Sequence, residues 1–247
     1  MTILKKKKDI LKIKNSGKIM REVFRLIESE IKEGVTTSDI DRMVETFIRE
    51  YGAEPAFKGY RGYPASICAS VNEVVVHGIP SKRTILTEGD IVSIDIGVKK
   101  DGFFTDAART FCIGKISDDA ARLIEVTRRC LQEAVKKAKD GGHVSDISNV
   151  VETIARDEGY EEVRSFVGHG IGRELHESPE VPNWGEPGKG LLLKEGLVLA
   201  IEPMINAGTR EVEVGPDGWT AVTKDGKLSA HFEDTVIVGK EKAEIIT

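Results

Sequence analysis

The sequence predicts an α+β protein built from two similar halves, each a pair of helices followed by strands. Three observations carry this. Apolar residues recur at helical spacing in four stretches. A tight strand hairpin is written around Asp101-Gly102. The sequence also repeats itself at an offset of 107 residues. Residues 32–52 and 139–159 agree at ten of 21 positions, where composition alone gives about one or two. The matches include Ser38/Ser145, Asp39/Asp146, Ile40/Ile147 and Gly52/Gly159. The same offset aligns residues 86–95 with 193–202 and sets Glu202 at the position of Asp95. Two copies are too few for a solenoid. They suggest halves, about residues 1–114 and 115–247, packed about a pseudo-twofold axis in one domain.

The elements follow in order. Ile19, Met20, Val23, Phe24, Ile27 and Ile31 form one stripe of a helix over residues 10–32, stopped at Gly34. Thr36, Thr37, Ser38 and Asp39 supply caps for a second helix. It carries Ile40, Met43, Val44, Phe47 and Ile48 and ends near Gly52. Residues 91–98 are apolar and β-branched, as in a buried strand, and residues 103–113 return as its partner. If Asp101 and Gly102 are the two turn residues, Gly97 lies opposite Asp106 and Asp95 opposite Ala108. Asp95 and Asp106 are then diagonal neighbours on one face, with Cβ atoms about 7 Å apart or less. Small Ser93, Gly97 and Ala108 surround them, and Val92, Ile94, Ile96 and Val98 fill the other face. Residues 118–139 repeat the helical pattern, stopped by Gly141-Gly142. Ser145-Asp146 caps a fourth helix through Ile147, Val150, Val151 and Ile154, ending near Gly159. Residues 229–238 read as a further strand. Glu233 and Thr235 share one of its faces; Phe232, Val236 and Val238 share the other.

Bulk properties narrow the class. At 247 residues, 40% hydrophobic and 31% charged, the chain has the make-up of a soluble globular protein. A net charge of −5 supplies no global basic field for DNA. The most apolar run, residues 190–205, is interrupted by Lys194, Glu195 and Glu202, so no membrane span is expected. No apolar run follows the N-terminal lysines as a secretory signal requires. Cys68, Cys112 and Cys130 are an odd number without CxxC spacing. They fit a reducing cytoplasm, and their apolar surroundings suggest buried packing or pocket positions. Residues 5–8, all lysine, are a solvated helix start or a contact with ribosomal RNA.

Two acids side by side need compensation. One could hold a proton, both could pair with Arg or Lys, or both could bind a cation. The rest of the chain favours the cation. Asp95, Asp106, Glu202 and Glu233, two from each half, could surround one site, and two divalent ions would neutralise their charge of about −4. His169, set among Gly168, Gly170 and Gly172, adds one imidazole where the backbone can pass close to a bound group. Such an oxygen-rich set suits Mn, Fe or Co more than a structural zinc.

Asp95 and Asp106, then Gly168-His169-Gly170-Ile171-Gly172, Ile201-Glu202-Pro203 and Glu233 resemble the type I methionine aminopeptidases of the pita-bread fold. So do residues 72–80, Asn-Glu-Val-Val-Val-His-Gly-Ile-Pro, and Asp217-Gly218-Trp219. The resemblance runs over essentially the whole chain. It implies one curved antiparallel sheet with helices on its outer face. It implies two divalent metal ions (Co, Mn, Fe or Zn) held by Asp95, Asp106, His169, Glu202 and Glu233. The reaction implied is removal of the N-terminal methionine from peptides and nascent chains with a small second residue. A metal-held water would be the nucleophile and Glu202 the proton shuttle. His77 and His176 would act as non-ligand histidines over the substrate. Tyr60, Tyr63, Cys68, Leu175 and Trp219 would form the methionine pocket, and Asn72, Val74 and Ser229 a site for a monovalent cation (Na or K). A cytoplasmic monomer is expected. One departure is Asp234, where many relatives have His. Proline-specific pita-bread peptidases share the ligand set but usually carry an additional N-terminal domain, which this chain lacks. Non-catalytic pita-bread modules lack the ligands, and no Gly-x-Ser-x-Gly marks a serine hydrolase.

Overall fold

A computed structural model describes residues 1–4 and 6–247. Lys5, the first of the four lysines, lies outside the described residues; Lys6, Lys7 and Lys8 are exposed. Helices α1 (Lys7–Glu30) and α2 (Thr37–Glu50) precede strands β1 (Glu54–Pro55), β2 (Ile67–Val71), β3 (Val74–Val76), β4 (Ile91–Lys100) and β5 (Phe103–Cys112). Helices α3 (Asp118–Lys137) and α4 (Val144–Asp157) open the second half. Strands β6 (Glu161–Glu162), β7 (Gly168–Gly170), β8 (Glu177–Val181), β9 (Val198–Ile201) and β10 (Met204–Asn206) follow. The last are β11 (Val212–Val214), β12 (Ala221–Thr223), β13 (Ser229–His231), β14 (Glu233–Ile237) and β15 (Glu244–Ile245). The expected antiparallel sheet has nine strands. Its main path is β1-β4-β5-β14-β9-β7-β8, with β2 on β4 and β15 on β14. Two three-stranded sheets, β13-β10-β6 and β11-β12-β3, add to it.

The helices cover one face of the main sheet and leave the other for the site. Val92, Ile94, Ile96 and Val98 of β4 pack with Met20, Val23 and Ile27 of α1 and with Val44 and Ile48 of α2. In the second half, Leu199, Ile201 and Val236 pack against Leu123, Leu131, Ile147 and Val151 of α3 and α4. Alternation then turns Ser93, Asp95 and Gly97 to the opposite face. The β4–β5 register is the one set by the turn: Gly97 pairs with Asp106 and Asp95 with Ala108. Asp101 and Gly102 both have positive φ, 52° and 79°, as a two-residue hairpin of this hand needs.

The internal repeat has a structural counterpart. Thr36 caps α2 and His143 caps α4, which are equivalent positions at the offset of 107. Asp39 and Asp146 each accept the backbone N–H of that cap residue. Ser145 therefore does not cap α4. Its hydroxyl instead bonds the Lys189 backbone on both sides, donating to O at 2.7 Å and accepting from N at 2.6 Å. Strands β4 and β9 also begin at equivalent positions. Pro203 ends β9 early, since proline lacks the ladder N–H.

Two further expectations are corrected. Residues 229–238 are two strands, because the chain changes sheets at Phe232: β13 pairs with β10, and β14 joins β5 and β9. Cys68 and Cys130 are buried, but Cys112 is exposed at the end of β5. No helix among the described residues is long and apolar enough to cross a membrane.

Gly97 lets the chain after β1 lie against β4. A Cβ there would come within 2.8 Å of Ala56 Cβ and 2.7 Å of the Phe57 ring. Gly97→Val should therefore cost about 1–3 kcal/mol, as overpacking does. Thermal unfolding measures this; an unchanged Tm would show that the β1 segment yields freely.

Candidate metal centre

The five acids and imidazoles singled out from sequence converge on one cavity of about 570 Å³. Each arrives from a different strand or strand end. Asp95 lies mid-β4 and Asp106 on β5. Glu233 opens β14 opposite Ala108, His169 is central in β7 opposite Ala200, and Glu202 directly follows β9. Ala108 and Ala200 are thus the small residues between the ligand-bearing positions. Donor atoms of Asp106, His169 and Glu233 all lie within 4.8 Å of one another. His169 Nε2 is 3.5 Å from Glu202 Oε1.

The cluster is buried and under-compensated. Asp106 is 3% and Glu233 2% exposed. Asp95 Oδ1, Asp106 Oδ1 and Glu233 Oε1 are buried without a hydrogen-bond partner among the described residues. Burial pushes the Asp95 carboxyl up to about 7. Burial, then repulsion from neighbouring carboxylates, pushes Asp106, Glu202 and Glu233 well above the usual carboxylate range. Orphaned buried oxygens with this repulsion form a site that a divalent cation would neutralise.

His169 is prepared for the same role. Its Nδ1 lies 2.9 Å from the Gly170 carbonyl, which can only accept, so Nδ1 carries the hydrogen. Nε2 is left with a lone pair on the carboxylate side. Burial lowers its pKa to about 4, so the ring is neutral near pH 7. The flanking glycines are steric necessities. A Cβ at Gly170 would lie 2.2 Å from Ser178 O, and one at Gly168 2.5 Å from Ala200 O.

All seven residues expected to contact substrate line the same cavity: Tyr60, Tyr63, Cys68, His77, Leu175, His176 and Trp219. Cys68 pairs with Asp95 in the β2–β4 ladder, which fixes the apolar pocket beside the acids. Tyr63 donates to Ile67 O at 3.0 Å or Gly78 O at 3.2 Å and meets Trp219 edge-on at 5.1 Å. His176, at the mouth, has Nδ1 2.8 Å from Tyr60 Oη, and its ring is 4.2 Å from that of His169. His77 adopts φ 60° and packs edge-on against Phe166. Asn72, Val74 and Ser229 lie outside the cavity lining. The Ser229 N–H donates to the Asn72 carbonyl at 2.9 Å, and the Asn72 side chain is committed to Asp90 and Ile91.

Sequence reasoning missed His231, Phe57, Phe166 and Arg61 as lining residues. His231 was within reach: with residues 229–238 read as one strand, its place two residues before Glu233 puts it on the Glu233 face. It is 2% exposed, and Nε2 has no hydrogen-bond partner among the described residues. Asp234, the departure from the resemblance, turns away from the cavity and pairs with Arg109 at 2.6 Å.

The chain is a metallopeptidase: a family model described as metallopeptidase family M24 matches residues 11–240, and the chain belongs to that family. The relatives narrow this further. A methionine aminopeptidase of Clostridium acetobutylicum is 50% identical over 247 residues, covering 100% of this chain and 99% of that protein. A solved methionine aminopeptidase from Thermotoga maritima superposes with a TM-score of 0.98 at 42% identity, covering 100% of this chain and 99% of that one. A prolidase from Pyrococcus furiosus shares the fold at TM-score 0.81 and 25% identity, but this chain covers 65% of it.

The raised carboxyls give a signed prediction. Each binds its proton more tightly folded than unfolded, so raising pH from about 4 towards 7 costs the metal-free protein stability. Chelator-stripped Asp106→Asn should melt higher than stripped wild type, by about 2–4 °C per kcal/mol of repulsion relieved. Its margin should widen as pH rises. A variant that melts no higher at any pH in this window would show that the acids do not strain the fold.

Proposed function

We infer that this chain is a metal-dependent aminopeptidase that removes the N-terminal methionine from peptides and nascent chains, preferring a small second residue. One observation carries it: four buried, under-compensated carboxylates and a neutral His169 line the same cavity as Phe57, Tyr63, Cys68, Leu175 and Trp219. Residues 1–247 act as one catalytic domain, working as a cytoplasmic monomer. Asp95, Asp106, His169, Glu202 and Glu233 would hold two divalent ions, drawn from Mn, Fe, Co or Zn; this donor set does not select among them. Asn72, Val74 and Ser229 would hold a monovalent cation. The lysines at residues 5–8 fit a transient contact with ribosomal RNA, which high salt would weaken.

Divalent ions bound there supply Lewis acidity and lower the pKa of water towards 7. The side chains do the rest. Glu202, raised in pKa by burial and by Asp106 and Asp95, can take a proton from the attacking water and return it to the leaving amine. In the tautomer where Tyr60 Oη donates to Nδ1, His176 carries its hydrogen on Nε2 and can donate to the scissile carbonyl as negative charge develops. Burial also lowers the pKa of His77, so it too faces the substrate as a neutral ring. Tyr63, Cys68, Leu175 and Trp219 exclude water from a slot suited to an unbranched thioether. The acidic cluster beside that slot receives the substrate's α-amine, which restricts cleavage to chain ends.

The proline-specific alternative is weaker: the two methionine aminopeptidases above match over nearly the full length of both chains, whereas the prolidase is covered over 65% of its own. A non-catalytic module would not retain all five ligands. Met-Ala-Ser and Met-Gly peptides should be cleaved far faster than Met-Lys or Met-Leu peptides. Equal rates across that series would point to a general aminopeptidase instead.

The two histidines of the glycine-rich segment should separate. His169→Ala should weaken metal affinity, with activity partly restored by added metal. His176→Ala should keep metal binding and lose mainly kcat, by about 10²–10³-fold, as for one lost oxyanion donor. Titration calorimetry with Mn²⁺ and steady-state kinetics check both; the reverse pattern would overturn the assignment.

A further inference from the structure

Arg109 fastens the seam between the two halves directly behind Glu233. It follows Ala108 on β5, so alternation turns its side chain to the helix-covered face, away from the carboxylates. There its guanidinium crosses to β14. Nη1 donates to the Glu233 carbonyl and, at 2.9 Å, to the Ala108 carbonyl. Nη2 donates to Asp234 Oδ1 at 2.6 Å. The Phe24 ring of α1 lies 5.2 Å from Cζ. The pair is largely withdrawn from water, the Asp234 side chain being 10% and the Arg109 side chain 27% exposed. Charge-assisted bonds are stronger there than neutral ones.

The location gives these contacts a purpose. Strands β5 and β14 join the two halves through the register pairs Glu233↔Ala108 and Asp234↔Ala107. Glu233 is the first residue of β14, placed where the chain has just left the small sheet. Its carboxylate faces acids that repel it. A strand end loaded in this way needs its backbone held from the other side. We propose that Arg109, itself held by Asp234, is a positioning residue that fixes the Glu233 backbone and so sets the Glu233 carboxylate in place for a divalent ion. The proposal rests on the metallopeptidase reading of the site. It also gives Asp234 a role: an acid there partners Arg109, whereas a histidine would leave the guanidinium without its counter-charge.

The test uses the full chain with Mn²⁺ as probe. Arg109→Met, Arg109→Lys, Asp234→Asn and the Arg109→Met/Asp234→Asn double variant are compared with wild type. Mn²⁺ affinity is measured by calorimetry, Tm after chelation, and kcat and KM on a Met-Ala-Ser peptide. Arg109→Met should weaken Mn²⁺ binding by about 10–100-fold, the cost typical of losing a partner behind a ligand. It should lower kcat with little change in KM. Asp234→Asn should do the same to a smaller extent, Arg109→Lys should recover part of the loss, and the double variant should be no worse than Arg109→Met alone. A purely structural pair would lower Tm and leave the Mn²⁺ affinity of the folded protein unchanged; that result overturns the proposal. Should Arg109→Met fail to fold, unchanged Mn²⁺ affinity in both Arg109→Lys and Asp234→Asn overturns it equally. A wild-type protein that neither binds Mn²⁺ nor cleaves the peptide would instead remove the reading on which the proposal rests.

Discussion

The mutual repulsion of four carboxylates in one buried cavity is the constraint on which the rest of the structure depends. Asp95 Oδ1, Asp106 Oδ1 and Glu233 Oε1 are buried and have no hydrogen-bond partner among the described residues. A protein tolerates this only where the backbone is over-determined and a cation can answer the charge. The first condition is met by setting Asp95, Asp106, Glu233 and His169 on paired strands whose other face is sealed by helices. The second leaves the charge to a bound divalent ion. Arg109, behind Glu233, spends its charge on the opposite face.

The same constraint gives the pseudo-symmetry its meaning. Each half contributes two acids, so the site exists only where the halves meet. That seam is narrow and reinforced from several sides. Besides the two β5–β14 register pairs, Thr235 Oγ1 accepts from the Asp106 N–H at 2.9 Å and donates to the Asp106 carbonyl at 2.8 Å. A side chain of the second half thus holds the backbone of a ligand from the first. Arg109 does the converse for Glu233. Precision at the cluster comes from this cross-bracing, which suits ligands that must be held within about 0.5 Å.

What could be read from the sequence was what local chemistry dictates. Asp101-Gly102 fixed a register to the residue, because a one-residue slip would put Asp95 and Asp106 on opposite faces, one of them in the helix-covered core. The offset of 107 placed Glu202 with Asp95, and the glycines around His169 marked a close backbone approach. What could not be read was long-range. Nothing in residues 229–238 signals that the chain changes sheets at Phe232, since each neighbouring strand is supplied by a distant segment. The α4 cap fell to His143 rather than Ser145, because the docked loop at Lys189 claims the serine. Cys112 is exposed because it ends its strand, a matter of edges that apolar neighbours do not reveal. The Arg109–Asp234 pair was hidden for a similar reason: its partners are 125 residues apart.

The central claim is that these carboxylates and His169 form a divalent-metal centre rather than a protonated acid cluster. Anomalous diffraction from crystals grown with Mn²⁺ tests it most directly. The account predicts Mn²⁺ peaks within bonding distance of Asp95, Asp106, His169, Glu202 and Glu233. Mn²⁺ bound elsewhere, with the five side chains unchanged and no peak among them, would contradict it.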